Sequence, residues 1–272
     1  MKHWVFVQNN FLEAAEASLS ISDLSINRGY GVFDFVRTHN SIPVFINDHL
    51  DRFYASADAM HLQVPYSRAK LLEIIQNLQE KNNLPSSGIR ITLTGGESAD
   101  GYSLEKPTLF ITQQPLELPS EEKFHTGLKM ITYPHQRQLP YIKTIDYLMA
   151  IWLNPLLKQK KVDDVLYHQN SIITECPRSN FFLINYDNSI LTPADDILPG
   201  ITRKNLLKLS NEFNIKEKKI TIADIKKAKS AFISSTSKIV LPVHQVDEVI
   251  FQEHDLIKDI KEAFCSIYSI SA

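Results

Sequence analysis

Lys143 has the widest chemical reach of any residue in this chain, because the residues that follow it supply what an amine nucleophile needs. A lysine forms an imine only while neutral, which calls for apolar surroundings, and Leu139-Pro140-Tyr141-Ile142 precede it. Glu175 ends the apolar segment Ser171-Ile172-Ile173-Thr174 and precedes the turn Cys176-Pro177-Arg178-Ser179-Asn180, a place from which a carboxylate can hold a protonated ring nitrogen. Leu198-Pro199-Gly200-Ile201-Thr202 opens a helical pattern. Main-chain N–H groups at such a start attract phosphate, glycine permits close approach, and Thr202 can serve as cap and ligand. Ser235 and Thr236 end an apolar run and add hydroxyls, while Arg52 of His49-Leu50-Asp51-Arg52 adds a cation. Amine, ring-nitrogen acid and phosphate cup together are what pyridoxal 5'-phosphate requires. Taken singly, each has an ordinary reading: a solvated lysine, a strand-end acid, a capped helix, a serine-rich turn and a surface arginine.

Elements to position these residues are visible as short β-rich runs alternating with helical patterns. Strands are predicted at Trp4–Val7, Val32–Thr38, Pro43–Ile46, Ile89–Thr94 and Thr108–Thr112, with His39-Asn40-Ser41 as a hairpin turn. Helices are predicted from Asp48, as cap, to about Met60 and over Ser67–Lys81. Residues 1–115 therefore read as a small α+β domain. Prolines and glutamates between Gln113 and Lys123 break the composition, and residues 116–123 are the predicted linker. In residues 124–272, strands at Leu128–Tyr133, Val165–His168, Ser171–Thr174, Phe181–Ile184, Ala231–Ser235 and Ile239–Val243 accompany helices over Thr144–Lys158, Thr202–Phe213 and from about Leu256. Short strands dominate, which predicts a larger, barrel-like second domain.

Composition narrows the function classes. At 272 residues the chain has ample surface to bury a core, and a net charge of -2 offers no electrostatic footprint for nucleic acid or anionic membrane. Cys176 and Cys265 lie far apart and outside any CxxC spacing, which argues for a reducing compartment and against a metal site. No apolar run reaches the roughly 20 residues of a membrane helix, and the first residues lack a signal-peptide core. The expectation is an unprocessed cytoplasmic protein whose partners are small molecules and itself.

Six ordered stretches together resemble the class IV (fold type IV) pyridoxal-phosphate enzymes: Gly29–Asp34, His49–Arg52, Ile142–Thr144, Thr174-Glu175 with Ser179-Asn180, Leu198–Arg203, and Ser235-Thr236 with Pro242-Val243. That family includes D-amino-acid aminotransferase, branched-chain aminotransferase and aminodeoxychorismate lyase. The resemblance implies a two-domain α/β fold with the cofactor between the domains, and a homodimer with shared active sites. It further implies that Lys143 forms the Schiff base and moves the proton, that Glu175 partners the pyridine nitrogen, and that Leu198 packs on the ring. Arg52, Gly200, Ile201, Thr202, Ser235 and Thr236 are implied as the phosphate cup, with Ser179 beside the cofactor and Phe33 beside the substrate.

Substrate choice rests on departures from the family. Where familiar bacterial D-amino-acid aminotransferases carry an Arg-x-His carboxylate trap, this chain has the loop Thr94-Gly95-Gly96-Glu97-Ser98-Ala99-Asp100-Gly101-Tyr102. Arg90, in the apolar strand Ile89–Leu93, and Arg28, in a loop that the family extends to the neighbouring subunit, form a possible carboxylate clamp. This resembles a less common D-amino-acid transaminase. For Arg90 the alternative is an edge-strand charge, and for Arg28 a loop salt bridge. Arg178 either faces the cofactor pocket or points away. Transamination of a D-amino acid is the first reading, aminodeoxychorismate lyase the second and branched-chain aminotransferase the third. A cofactor carrier without turnover is the non-enzyme alternative, against which the joint retention of Lys143 and Glu175 argues.

Overall fold

The computed structural model describes residues 3–253 and 255–270, with the backbone alone for 268–270. The chain divides into two compact units, Met1–Glu117 with Ile142–Asp146, and Leu118–Tyr141 with Tyr147–Ala272.

The first unit runs β1 (Trp4–Val7), β2 (Asn10–Glu13), α1 (Leu24–Arg28), β3 (Gly31–His39), β4 (Ile42–Pro43), α2 (Ile46–Ala59), α3 (Arg68–Asn82), β5 (Ser87–Thr94) and β6 (Thr108–Pro115). Its strands form one antiparallel sheet in the order β2-β1-β6-β5-β3-β4. Strand alternation divides the side chains. Val32, Val36, Ile89, Ile91 and Leu93 pack with Leu50, Phe53, Leu71 and Leu78 of the two long helices, each burial stabilising by about 1.5–3 kcal/mol. Phe33, Phe35, Arg90 and Thr92 consequently belong to the opposite face. Asn40 and Ser41 turn the β3–β4 hairpin with φ of 49° and 66°, the left-handed pair that a two-residue turn demands. Ser67 caps α3 by accepting from the Lys70 N–H at 3.3 Å. Asp48 does not cap α2: that helix starts at Ile46 after Phe45 in the left-handed region, with no side-chain cap, so Asp48 lies in the first turn, where its charge suits the helix dipole.

Residues Ile142–Asp146, assigned by sequence pattern to the C-terminal domain, cluster with the first unit. The Phe33 N–H donates to Lys143 O and the Ile145 N–H to Gly31 O, each at 3.0 Å, and Val32 bridges Thr144. Gly31 makes this approach possible, since a Cβ there would lie 2.8 Å from Leu93 O and 3.1 Å from Ile145 Cδ1. Thr144 is thus extended and not helical.

The second unit begins with α4 (Glu121–Thr126), which takes up the end of the predicted linker, and β7 (Leu128–Pro134). The helix expected over Thr144–Lys158 is instead α5 (Leu148–Trp152) and α6 (Asn154–Lys160), divided at Leu153 because Pro155 can donate no N–H inside a continuous helix. There follow β8 (Asp164–Gln169), β9 (Ile172–Ile173), β10 (Glu175–Cys176), β11 (Ser179–Ile184), β12 (Ile190–Thr192), α7 (Ile201–Leu207) and α8 (Ser210–Phe213). The chain closes with β13 (Ile215–Glu217), β14 (Ile220–Thr221), α9 (Ile222–Ile225), β15 (Ser230–Ser235), β16 (Ile239–Val246), β17 (Val249–Ile250) and α10 (Asp255–Ile270). Its strands form a mixed 11-stranded sheet, in which β16, β7 and β8 are parallel neighbours. Phe181, Leu183, Ala231, Ile233, Leu241 and Val243 fill its core. No helix among the described residues is long and apolar enough to cross a membrane.

Candidate active site

In the first unit, the lysine strip and the sheet bring three sequence-predicted residues together. Lys143 Nζ lies 4.7 Å from the centroid of the Phe33 ring, and Arg90 Cζ lies 3.8 Å from the same centroid. Two cations on one aromatic platform make a local field that favours an anion. The main chain of Lys143 is fixed on both sides, its N–H donating to Ser56 Oγ at 3.3 Å and its carbonyl accepting from Phe33.

Arg52, predicted for the phosphate cup, forms a fork on Asp34: Nε donates to Oδ2 at 2.9 Å and Nη2 to Oδ1 at 2.8 Å. His49 Nδ1 lies 2.7 Å from Asp34 Oδ1. All three side chains are buried or nearly so. Burial alone would raise the Asp34 pKa, but the Arg52 charge and the hydrogen bonds from Arg52 and His49 outweigh it and hold the carboxyl well below the usual carboxylate range. Burial lowers the His49 pKa, Arg52 and Lys143 add to that, and the attraction of Asp34 only partly offsets it. At neutral pH His49 is therefore a neutral donor through Nδ1, and Asp34 sets the plane of the guanidinium.

In the second unit Glu175 is buried, and both its oxygens accept hydrogen bonds: Oε1 from Arg137 Nη1 and Oε2 from the Leu198 N–H, each at 3.0 Å. Arg137 is the residue that sequence reasoning missed. It lies 38 positions from Glu175, so no local motif links them. The ordinary reading of Glu175 as a strand-end surface acid does not hold, because the side chain is buried. Leu198 contributes through its main chain, its carbonyl accepting from Asn180 Nδ2 at 2.9 Å. Gly200 is required by close approach, since a Cβ would fall 2.0 Å from Asn180 Oδ1. Gly200 takes the cap position of α7 with no side-chain capping bond, so Thr202 is buried in the first turn and is not the cap.

The hydroxyl cluster is organised by Lys238, a second residue absent from the sequence-based set. Its N–H donates to Ser235 Oγ at 3.2 Å, and its Nζ lies 3.4 Å from both Ser179 Oγ and Asp164 Oδ2. Ser235 and Thr236 are half-buried at this turn. Burial, with the neighbouring Asp164 and Glu175 charges, pushes the Cys176 thiol well up against the opposing effect of Lys238, so the thiol is not a nucleophile at neutral pH. Arg178 is exposed at the tip of the β10–β11 turn, and Arg28 is exposed with Nη1 donating to Asn27 O at 2.9 Å.

The model of the amino-transferase class IV family matches residues 31–246. The chain is 31% identical over 258 residues to a D-alanine aminotransferase of Listeria monocytogenes, covering 90% of this chain and 88% of that one. Among solved structures it superposes on the branched-chain amino acid aminotransferase of Escherichia coli with a TM-score of 0.91 at 22% identity, covering 98% of this chain and 95% of that one. A Legionella pneumophila structure provisionally named 4-amino-4-deoxychorismate lyase gives a TM-score of 0.85 at 25% identity, with coverage of 93% and 96%. Solved chains of this fold carry pyridoxal or pyridoxamine phosphate. The residues present here fit that group: Glu175 is a buried carboxylate already aimed by two donors, and Ser234 Oγ, one residue before the hydroxyl pair, is buried with no hydrogen-bond partner among the described residues. With the family model matched over most of its length, the chain belongs to the class IV aminotransferases, a pyridoxal-phosphate-dependent enzyme family.

Proposed function

We propose that this enzyme transfers an amino group between an amino acid, with D-amino acids favoured, and a 2-keto acid. The observation that carries the reading is the joint placement of Arg90 and Lys143 on the Phe33 ring, which sets a carboxylate-binding guanidinium beside the amine that handles the substrate's α-proton. The cofactor, when bound, supplies the electron sink that makes this proton acidic. Lys143 takes the proton from Cα and returns it to the cofactor's side, a task for an amine whose main chain is pinned by Ser56 and Phe33. Glu175, oriented by Arg137 and Leu198, holds the ring nitrogen. Arg52, Gly200, Ile201, Thr202, Ser235 and Thr236 hold the phosphate, with Ser179 and Leu198 lining the ring. Arg90 takes the substrate carboxylate, and Arg28 joins it from a second copy of the chain. Self-association is supported by the apolar residues Leu148, Ile151 and Trp152, which stand exposed at i, i+3 and i+4 on one face of α5.

The test is to mix the loaded enzyme separately with D-alanine, D-glutamate, L-leucine and aminodeoxychorismate and to measure keto acid and p-aminobenzoate. Keto acid from the D-amino acids is the expected result. The second reading, aminodeoxychorismate lyase, is favoured by the 25% identity to the Legionella chain over 93% of this sequence. Release of p-aminobenzoate with no keto acid from D-amino acids would establish it instead. Keto acid from L-leucine alone would favour the third, branched-chain, reading.

A further inference from the structure

Thr92 Oγ1 is buried and has no hydrogen-bond partner among the described residues, although Thr92 itself is only 4% exposed. A hydroxyl in that state forfeits hydration without compensation, at a cost that a methyl group in its place would avoid. Its neighbours indicate what it is there to meet. Thr92 and Arg90 are two residues apart on β5 and share the sheet face turned away from α2 and α3. Across the sheet Thr92 is the direct partner of Phe33, and Arg90 that of Phe35, which puts paired Cβ atoms roughly 5 Å apart. The Arg90 guanidinium lies over the ring of Phe33, the cross-strand partner of Thr92, so it leans along the strand toward Thr92. Lys143 Nζ meets the same ring.

A ligand atom shared with a guanidinium must be anionic or strongly accepting, and toward such an atom a hydroxyl acts as donor. We infer that Thr92 Oγ1 donates the second hydrogen bond to the substrate carboxylate held by Arg90, making Thr92 a specificity-determining residue of this site. The inference rests on the reading of Arg90 as carboxylate binder. It also explains how one chain could hold a carboxylate by two groups of different kind, a charge for affinity and a neutral donor for orientation, before Arg28 of a second copy takes part.

Butyrate and its neutral analogue butyramide, neither of which can react, serve as probes by calorimetric titration of the loaded enzyme. Thr92→Val keeps the shape and the strand preference and removes only the donor, while Thr92→Ser keeps the donor. The expected result is butyrate binding weakened about 10-fold or more in Thr92→Val and within about twofold of wild type in Thr92→Ser, with butyramide unchanged in both. The melting midpoint of cofactor-free Thr92→Val should equal or exceed wild type, which separates lost binding from lost folding. Unchanged butyrate binding in Thr92→Val, with Arg90→Ala weakened, would overturn the role of Thr92 and leave the Arg90 reading standing. Unchanged binding in Arg90→Ala as well would remove both.

Discussion

The pairing of Glu175 with Arg137 decides more of the chemistry than its place in the sequence suggests. A carboxylate held by a guanidinium on one oxygen and a main-chain N–H on the other is fixed in its orientation. Arg137→Leu removes the guanidinium from the buried Glu175 carboxylate, and a loss of roughly 3 kcal/mol in unfolding free energy is expected, measured by denaturant titration of the cofactor-free protein. Arg137→Lys, which keeps the charge but not the planar guanidinium, should recover only part of it. Equal stability of wild type and Arg137→Leu would show that Glu175 is held by other means. The Cys176 thiol gives a second check at this scale. With its side chain buried and its pKa pushed well up, it should resist a thiol reagent in the native protein and react only on unfolding.

At the scale of elements, the Gly200 junction positions candidate residues of the second unit and the Lys143 strip those of the first. Gly200→Ala drives a Cβ into Asn180 Oδ1 and must break the Asn180 hydrogen bond to the Leu198 carbonyl. A loss of about 1–3 kcal/mol and faster loss of cofactor on dialysis are expected, read by melting and by retained visible absorption. Retention equal to wild type would show that the junction does not shape the cup. Local chemistry made several elements legible: the helix that starts at Ser67, the His39-Asn40-Ser41 hairpin turn and the apolar strand at Ile89–Thr94 all rest on signals within a few residues. What stayed hidden depends on long-range pairing. Nothing near Lys143 says that its carbonyl will accept from Phe33, 110 positions earlier, so the segment after it reads as helix although Thr144 is extended. The same reason concealed Arg137 and Lys238, whose partners Glu175 and Asp164 are distant in sequence. The candidate cofactor residues could be named from sequence because their order is a family pattern, whereas the Thr92 hydroxyl draws notice only through its burial without a partner among the described residues.

For the whole molecule, the buried Asp34, His49 and Arg52 cluster ties stability to pH. His49 is kept neutral by burial, so the unfolded chain binds a proton that the folded one refuses, and stability falls as pH drops below about 6.5 toward its lowered pKa. Asp34 has a depressed pKa, so its contribution is complete above the ordinary aspartate range and disappears as pH falls through the folded value. His49→Gln should flatten the fall in melting midpoint between pH 6.5 and about 5. An unchanged slope would assign the acid sensitivity elsewhere. Assembly belongs to this scale too: Trp152→Asp is expected to shift the molecular mass measured by light scattering from dimer to monomer, because it places a charge on the exposed apolar face of α5. The most direct test of the account is a single turnover of wild type and Lys143→Ala, each loaded with cofactor and mixed with D-alanine in the absence of keto acid. Wild type should release one pyruvate per cofactor within seconds and Lys143→Ala should be slower by about 10³-fold or more; pyruvate released at the same rate by both would contradict the central role given to Lys143.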